Sequence, residues 1–349
     1  MQKTKMDSTL SIWKFAAALF IMGHHSVSFY SNGNYPFHGG YIYTEFFFLI
    51  SGYFCMRFLS EKLNNNATAV AEDTKLSMNY VWGKFKKIFP YTTVAFLMQY
   101  LLDCILKTES WKAVLKLIWK LPLEITYLSN LQILGSRMGQ LWYVGVMFVA
   151  LPVICYLFVN HKRFFYCVFL WLFPLEWYAY IYQTYQRIGN RGQFIDLGRG
   201  MANLLLGCLV YVLAQQLKNK NFRATWQKVI FTIAAWGTWL MTVGATYKYY
   251  GTVYDFVIIL LLMCSLILLF SGVIFSFQSK IINFLGELST PIYIVHITIR
   301  TFLSENFGGM GTVKSMILYY AGTFVYALIL YFVVKAGLKL FRRKLSKNV

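Results

Sequence analysis

Lys14, His24 and His25 share one apolar stretch, Lys14-Phe-Ala-Ala-Ala-Leu-Phe-Ile-Met-Gly-His24-His25. Eleven residues turn a helix by ~1100°, three turns plus ~20°, so Lys14 and His25 leave from one face about 16 Å apart along the axis. His24 points ~80° away from that face. A lysine can hold an anionic ligand, and an imidazole further along the same face can act as general base. In the plainer alternative, Lys14 snorkels and both histidines sit at the outer interface. Spacing alone leaves the two readings open.

Four further places carry charge where an apolar span is expected. Glu45 opens the run Glu-Phe-Phe-Phe-Leu-Ile-Ser-Gly-Tyr-Phe, which ends around Ser51 and Gly52. A carboxylate there is costly unless it is paired or faces a polar cavity. Ser51 and Gly52 allow close helix approach. Lys84, Lys86 and Lys87 precede Pro90 at the mouth of another span. They are suited either to phosphate groups or to anchoring at a membrane surface. Arg199 opens a later span, and His296 and Arg300 share a helix face at i,i+4. For His296 alone, a structural buried histidine is the simpler reading.

The elements that must position these residues follow from composition. Hydrophobic residues make up 58% of 349 positions and charged residues 13%, against about 25% charged in a soluble domain. So much apolar surface requires lipid, which predicts an all-α integral membrane fold. Windows of ~20 apolar residues predict about ten transmembrane helices, near residues 10–30, 40–60, 88–106, 140–159, 164–182, 199–216, 227–246, 253–274, 285–304 and 315–337. The first is too long for a signal-peptide core and has no cleavage site, so it reads as retained. Segment 107–139 stands apart. Lys107, Lys112, Lys116 and Lys120 alternate with Trp111, Leu115, Leu117, Ile118 and Trp119. This pattern predicts an interfacial or re-entrant helix, or a solvated amphipathic loop.

The formal net charge of +20 does not imply nucleic acid, because the basic residues lie in short runs between apolar spans and are placed to touch anionic membrane lipids. With ten spans, the larger share of Lys and Arg falls inside when both termini are cytoplasmic. The six cysteines lie in or beside apolar spans without CxxC spacing. They predict neither a disulfide framework nor a metal site. The sequence leaves open whether the chain forms a homo-oligomer.

Taken together and in order, these motifs resemble the membrane acyltransferase-3 family of bacterial surface-polysaccharide O-acyltransferases. The resemblance rests on Lys14 ten residues before His25, and on Glu45, Phe47, Phe48, Ser51, Gly52 and Tyr53. It continues with the Lys84–Pro90 cluster, Leu141-Trp142-Tyr143, and Leu285, Gly286, Ser289, Tyr293 and His296. Lysines stand where the family more often has arginines, and Ser11 where it usually has aspartate. Lysine is a point charge rather than a bidentate fork, so its phosphate contacts differ.

The resemblance implies a single transmembrane acyltransferase domain over residues 1–349, without the extracytoplasmic hydrolase-like domain that many members carry, in the bacterial cytoplasmic membrane. It implies acetyl-CoA or another acyl-CoA as co-substrate on the cytoplasmic side, no metal, and a hydroxyl of a cell-surface or lipid-linked glycan as acceptor. Lys14, Lys84, Lys86 and Lys87 would hold the CoA phosphates. His25 would act as general base or transient acyl carrier, with Glu45 orienting its imidazole. His24, Ser51, Trp142, Tyr143, Arg199, His296 and Arg300 are further site candidates. The competing class is a transporter or flippase for an anionic lipid-linked glycan, which would favour broken helices repeated in two halves. No such symmetry is visible. A membrane glycosyltransferase would want an acidic first outer loop, and residues 31–39 contain no carboxylate.

Overall fold

The computed structural model describes residues 7–30, 35, 37–65, 73–106, 111–127, 138–189, 192–220, 222, 224–307 and 309–345. Among these there are eleven helices and no strand. In chain order they are α1 (Ser8–His24), α2 (Tyr43–Asn65), α3 (Asp73–Leu106), α4 (Trp111–Ile125), α5 (Trp142–Asn160) and α6 (Lys162–Tyr185). Then come α7 (Gln193–Asn219), α8 (Thr225–Lys248), α9 (Tyr254–Ser271), α10 (Lys280–Asn306) and α11 (Thr312–Leu345).

Seven stretches are long and apolar enough to cross a membrane: His38–Leu63, Gly139–Asn160, Lys162–Tyr185, Phe194–Asn219, Thr225–Lys248, Tyr254–Ser271 and Thr312–Phe341. Among the described residues seven of the ten expected spans meet this measure, so the count of ten is not confirmed. The three expected spans that fall short lie on α1, α3 and α10. Helix α1 has only 17 residues. The other two are long, and on α3 the side chains of Leu102, Asp103, Ile105 and Leu106 lie outside the described residues. These three helices also carry Lys14, Lys84, Lys87, Glu287, His296 and Arg300. A helix covered by protein can be polar where a lipid-facing one cannot. Helices α6 and α8 show the opposite pattern, with exposed apolar side chains such as Trp171, Leu175, Ile233 and Leu240.

Segment 107–139 yields the short helix α4. At about 22 Å it is too short to span a bilayer. Leu115, Ile118, Trp119 and Leu123 are exposed on it, while Glu124 is buried and accepts a hydrogen bond from Tyr100 on α3 at 2.9 Å. Residues 107–110 and 128–137, and the side chains of Trp111, Lys112, Lys116 and Leu117, lie outside the described residues.

Helix α1 is fixed at both ends. Asp7 caps it, accepting from the Thr9 amide at 2.8 Å. Ser8 and Ser11 both donate to Asn283 Oδ1, at 3.0 and 2.9 Å, which ties α1 to the start of α10. A Cβ on Gly286 would meet Ser11 Cβ at 2.6 Å, so the two helices touch nearly backbone to backbone. At its far end α1 stops at His24, and His25–Phe29 continue as a 3-10 turn. There the returning segment His38–Ile42 crosses it, with Phe37 packed on Gly23.

Helix α1 also borders two apolar cores. Leu10, Trp13, Ala17 and Ile21 join a core with α2, α5, α7, α8 and α9, in which Trp13 stacks on Trp239 at 5.0 Å. Ala18 and Met22 join a second core with α3, α10 and α11. The polar residues of interest lie along the seam between the two.

Helices α2 and α7 interlock at Gly52 and Gly207. A Cβ on Gly52 would run into the Leu204 carbonyl oxygen, and one on Gly207 into that of Leu49. The contact is backbone on backbone, so neither side chain could swing clear. Gly52→Ala is expected to destabilise the fold by about 1–3 kcal/mol, read as a lower unfolding temperature in detergent. An unchanged unfolding temperature would show that the helices can separate at no cost.

Candidate functional site

The seam holds a cavity of about 390 Å³. Lys14 from α1, Ser51 from α2, Lys84 and Lys87 from α3, Tyr143 from α5, and Glu287 and Tyr293 from α10 all face it. Lys14 and Lys84 are half-buried, and Lys87 and Glu287 are exposed at the mouth. Pro291 also lines it and lacks the N–H that would pair with the Glu287 carbonyl. Among the described residues the three lysines form no ion pair. Glu287 is already engaged by Lys335 at 3.0 Å and by the Tyr331 hydroxyl. The cavity therefore presents uncompensated positive charge, which an anionic ligand of suitable size would neutralise.

Lys86 does not face the cavity. It is exposed and lies over the Trp82 ring at 5.3 Å from the centroid. Consecutive helix positions point ~100° apart, so Lys86 cannot share the cavity face with both Lys84 and Lys87.

The inner wall is aromatic. Tyr143 is 2.9 Å from Ser51 Oγ and donates to the Phe47 carbonyl at 3.1 Å. Tyr293 donates to the Gln140 carbonyl, and Gln140 Nε2 donates to the Ile294 carbonyl at 2.7 Å. This ties the start of α5 to α10.

Beyond the wall, toward the far end of α1, stand the imidazoles. His25 and His296 have ring centroids 5.1 Å apart. His24 stands edge-on to His25, with ring centroids 4.9 Å apart, and places Nδ1 2.7 Å from the His38 carbonyl and its ring 5.3 Å from Tyr41. Lys14 and His25 thus both face α10, as their spacing predicts, and His24 does not. Arg300 is half-buried, and its Nε has no hydrogen-bond partner.

Glu45 takes a different partner from the one the resemblance implies. Its carboxylate faces α7, 3.3 Å from Arg199 Nε and 2.5 Å from Asn203 Nδ2, and no hydrogen bond links it to His25. Helix α2 runs alongside α7 and turns Glu45 away from α1. Arg199 also meets Asp196 at 3.2 Å, the Gly189 carbonyl and the Trp142 ring at 4.7 Å. This cluster is buried and accounts for Glu45, Arg199 and Trp142 together. Nearby, Asp255 accepts from Tyr41 at 2.6 Å and from the Ile188 amide at 2.9 Å.

All six cysteines are free, with Cys55 and Cys155 Sγ 3.4 Å apart. Among the described residues no cluster of His, Cys, Asp or Glu is suited to a metal ion.

A family model described as an acyltransferase domain matches residues 7–336. The chain belongs to this acyltransferase-3 family. Searches of curated proteins and of solved structures returned no match. The family match takes in the cavity, the imidazole pair and the Glu45–Arg199 cluster, and with the seven apolar helices it makes the chain a multi-pass membrane acyltransferase.

Sequence reasoning singled out neither Glu287, Gln140, Asn203 nor Tyr331 in this acyltransferase. Glu287 was legible as a carboxylate inside an apolar span. Gln140, Asn203 and Tyr331 give no such signal, since their roles depend on partners far away in the chain.

Proposed function

We propose that the protein transfers an acyl group, most simply acetyl, from acyl-CoA to a hydroxyl of a cell-surface or lipid-linked glycan. The observation that carries this reading is the uncompensated cationic cavity beside an imidazole pair, in a chain of an acyltransferase family. Lys14, Lys84 and Lys87 hold the phosphates of CoA. The acyl thioester points past Tyr143 and Tyr293 toward His25. His25 either accepts a proton or carries the acyl group. In this reading the cavity opens to the cytoplasm, where acyl-CoA is found, both termini are cytoplasmic, and the glycan arrives at the His25 end. The bilayer is the bacterial cytoplasmic membrane.

The direct test supplies radiolabelled acetyl-CoA to the purified protein in lipid nanodiscs, with membranes of a deletion strain as acceptor source. Ester-linked label released by mild base is the expected product. Labelled glycan absent under all conditions, with acetyl-CoA intact, would overturn the proposal.

The lysines make a sharper prediction. A charge-assisted hydrogen bond contributes about 1.5–3 kcal/mol, so Lys14→Ala and Lys84→Ala should each raise the KM for acyl-CoA by about 10-fold or more. Lys86→Ala should leave it unchanged, because Lys86 stands on Trp82. A KM that responds to Lys86→Ala as strongly as to Lys84→Ala would place the phosphates outside this cavity.

A further inference from the structure

We propose that His25 takes the second of its two roles, carrying the acyl group, and that His296 is the base that takes the proton from the acceptor hydroxyl, a reading that rests on the acyl transfer above. Its Nδ1 lies 2.7 Å from the Tyr293 carbonyl oxygen. A carbonyl only accepts, so Nδ1 carries the hydrogen and the neutral ring keeps its lone pair on Nε2. Nε2 is buried and has no hydrogen-bond partner among the described residues. The Tyr293 contact explains why a histidine is tolerated in the core, but it satisfies only one ring nitrogen. A buried acceptor left unpaired costs stability, and such groups persist where a ligand completes them.

The surroundings separate His296 from the other histidines. His24 also has Nδ1 on a carbonyl and its ring meets His25 at 4.9 Å, but it is only half-buried and packs on Tyr41. His25 sits on the 3-10 turn that follows α1, and no backbone carbonyl fixes its tautomer. Of the two imidazoles that flank His25, His296 is the one that is fully buried with its Nε2 lone pair unpartnered among the described residues. It is also one helical turn from Tyr293, which lines the donor cavity. The charged and titratable groups around it are His24 and His25 from α1 and Arg300 from α10.

The step balances without any further reactant. The glycan hydroxyl oxygen attacks the acyl carbonyl carbon, and a C–O bond forms as the bond to the leaving group breaks. The hydroxyl proton passes to His296 Nε2. CoA has by then left as the thiol, having taken the N–H proton of His25 when that ring accepted the acyl group, and the hydroxyl proton passes from His296 to the departing His25 nitrogen.

Two variants test the assignment in the nanodisc assay. His296→Asn keeps a side-chain donor near the Tyr293 carbonyl and removes Nε2. His296→Gln places an amide oxygen near the former Nε2, which can accept a hydrogen bond but cannot hold the proton. The expected result is a loss in kcat of about 100-fold or more in both, with the KM for acyl-CoA unchanged. The unaltered protein should lose rate toward low pH, and that fall should be absent from the residual activity of both variants. Full activity of His296→Asn would show that the Tyr293 bond is the residue's whole purpose. Full activity of His296→Gln would reduce it to a hydrogen-bonding group. If His296→Asn fails to fold, the Gln variant and the pH profile of the unaltered protein decide: a profile without an acidic arm overturns the base. Should the unaltered protein itself form no glycan ester, the acyl-transfer reading fails. If it does so and the variants match it, only the His296 assignment fails.

Discussion

With His25 replaced by alanine, acyl transfer is expected to fall by about 10²–10⁴-fold, while binding of acyl-CoA stays close to that of the unaltered protein. The separation follows from the layout. His25 does not line the donor cavity; it lies beyond the wall formed by Tyr143 and Tyr293, against His296. Removing its ring therefore takes away a group that meets the reacting atoms and leaves the lysines in place. Stability should change little, because His25 is only half-buried and makes no backbone hydrogen bond through its ring. His24→Ala is the informative control. His24 is bonded to the His38 carbonyl and meets His25 only edge-on, so its loss should loosen the His38 segment and cost less activity than the loss of His25. Acyl transfer and acyl-CoA binding measured side by side on both variants decide the matter. An active His25→Ala would remove His25 from the chemistry, and an inactive His24→Ala beside it would show that the other imidazole does the work.

The second large effect is on stability. Arg199 is a buried cation held between Glu45 and Asp196. Arg199→Met leaves two carboxylates buried without their counter-charge. Breaking such a cluster from one side is expected to cost about 3–5 kcal/mol, seen as early thermal unfolding of the detergent-solubilised protein. Replacing both partners, as Glu45→Gln with Arg199→Met, should recover a large part of that loss, since the uncompensated charge at Glu45 is gone. A double variant no better than the single one would mean that Arg199 stabilises through Trp142 and Asp196 rather than through Glu45. Retained stability with abolished acyl transfer would move the cluster into the chemistry.

How far the sequence could be read differs from residue to residue. The helical class followed from composition, and the common orientation of Lys14 and His25 from a fixed number of degrees per residue. Both are local properties. The end of α1 at His24 was not legible, because Phe37 and the segment His38–Ile42 impose it by crossing at Gly23. The partner of Glu45 was illegible for the same reason. A carboxylate in an apolar run signals that some partner exists, but spacing cannot point to Asn203, 158 positions away, or to Arg199 one turn before it. The expected spans on α1, α3 and α10 are not confirmed, α1 because it ends after 17 residues, and these helices carry the polar residues of the seam.

Because α1 is clamped by Asn283 at one end and by the His38 segment at the other, it cannot lengthen, slide or turn independently of its neighbours. Lys14 and the imidazole that follows the helix are two marks on one rigid rod, about 16 Å apart. In the proposed reaction the rod is a ruler. A phosphorylated donor whose reactive carbon lies nearer to its phosphates than that span would be held by the lysines and still not be consumed. Selection among acyl carriers would then rest on the reach of the arm, with the acyl group itself left to the shape of the wall at Tyr143 and Tyr293.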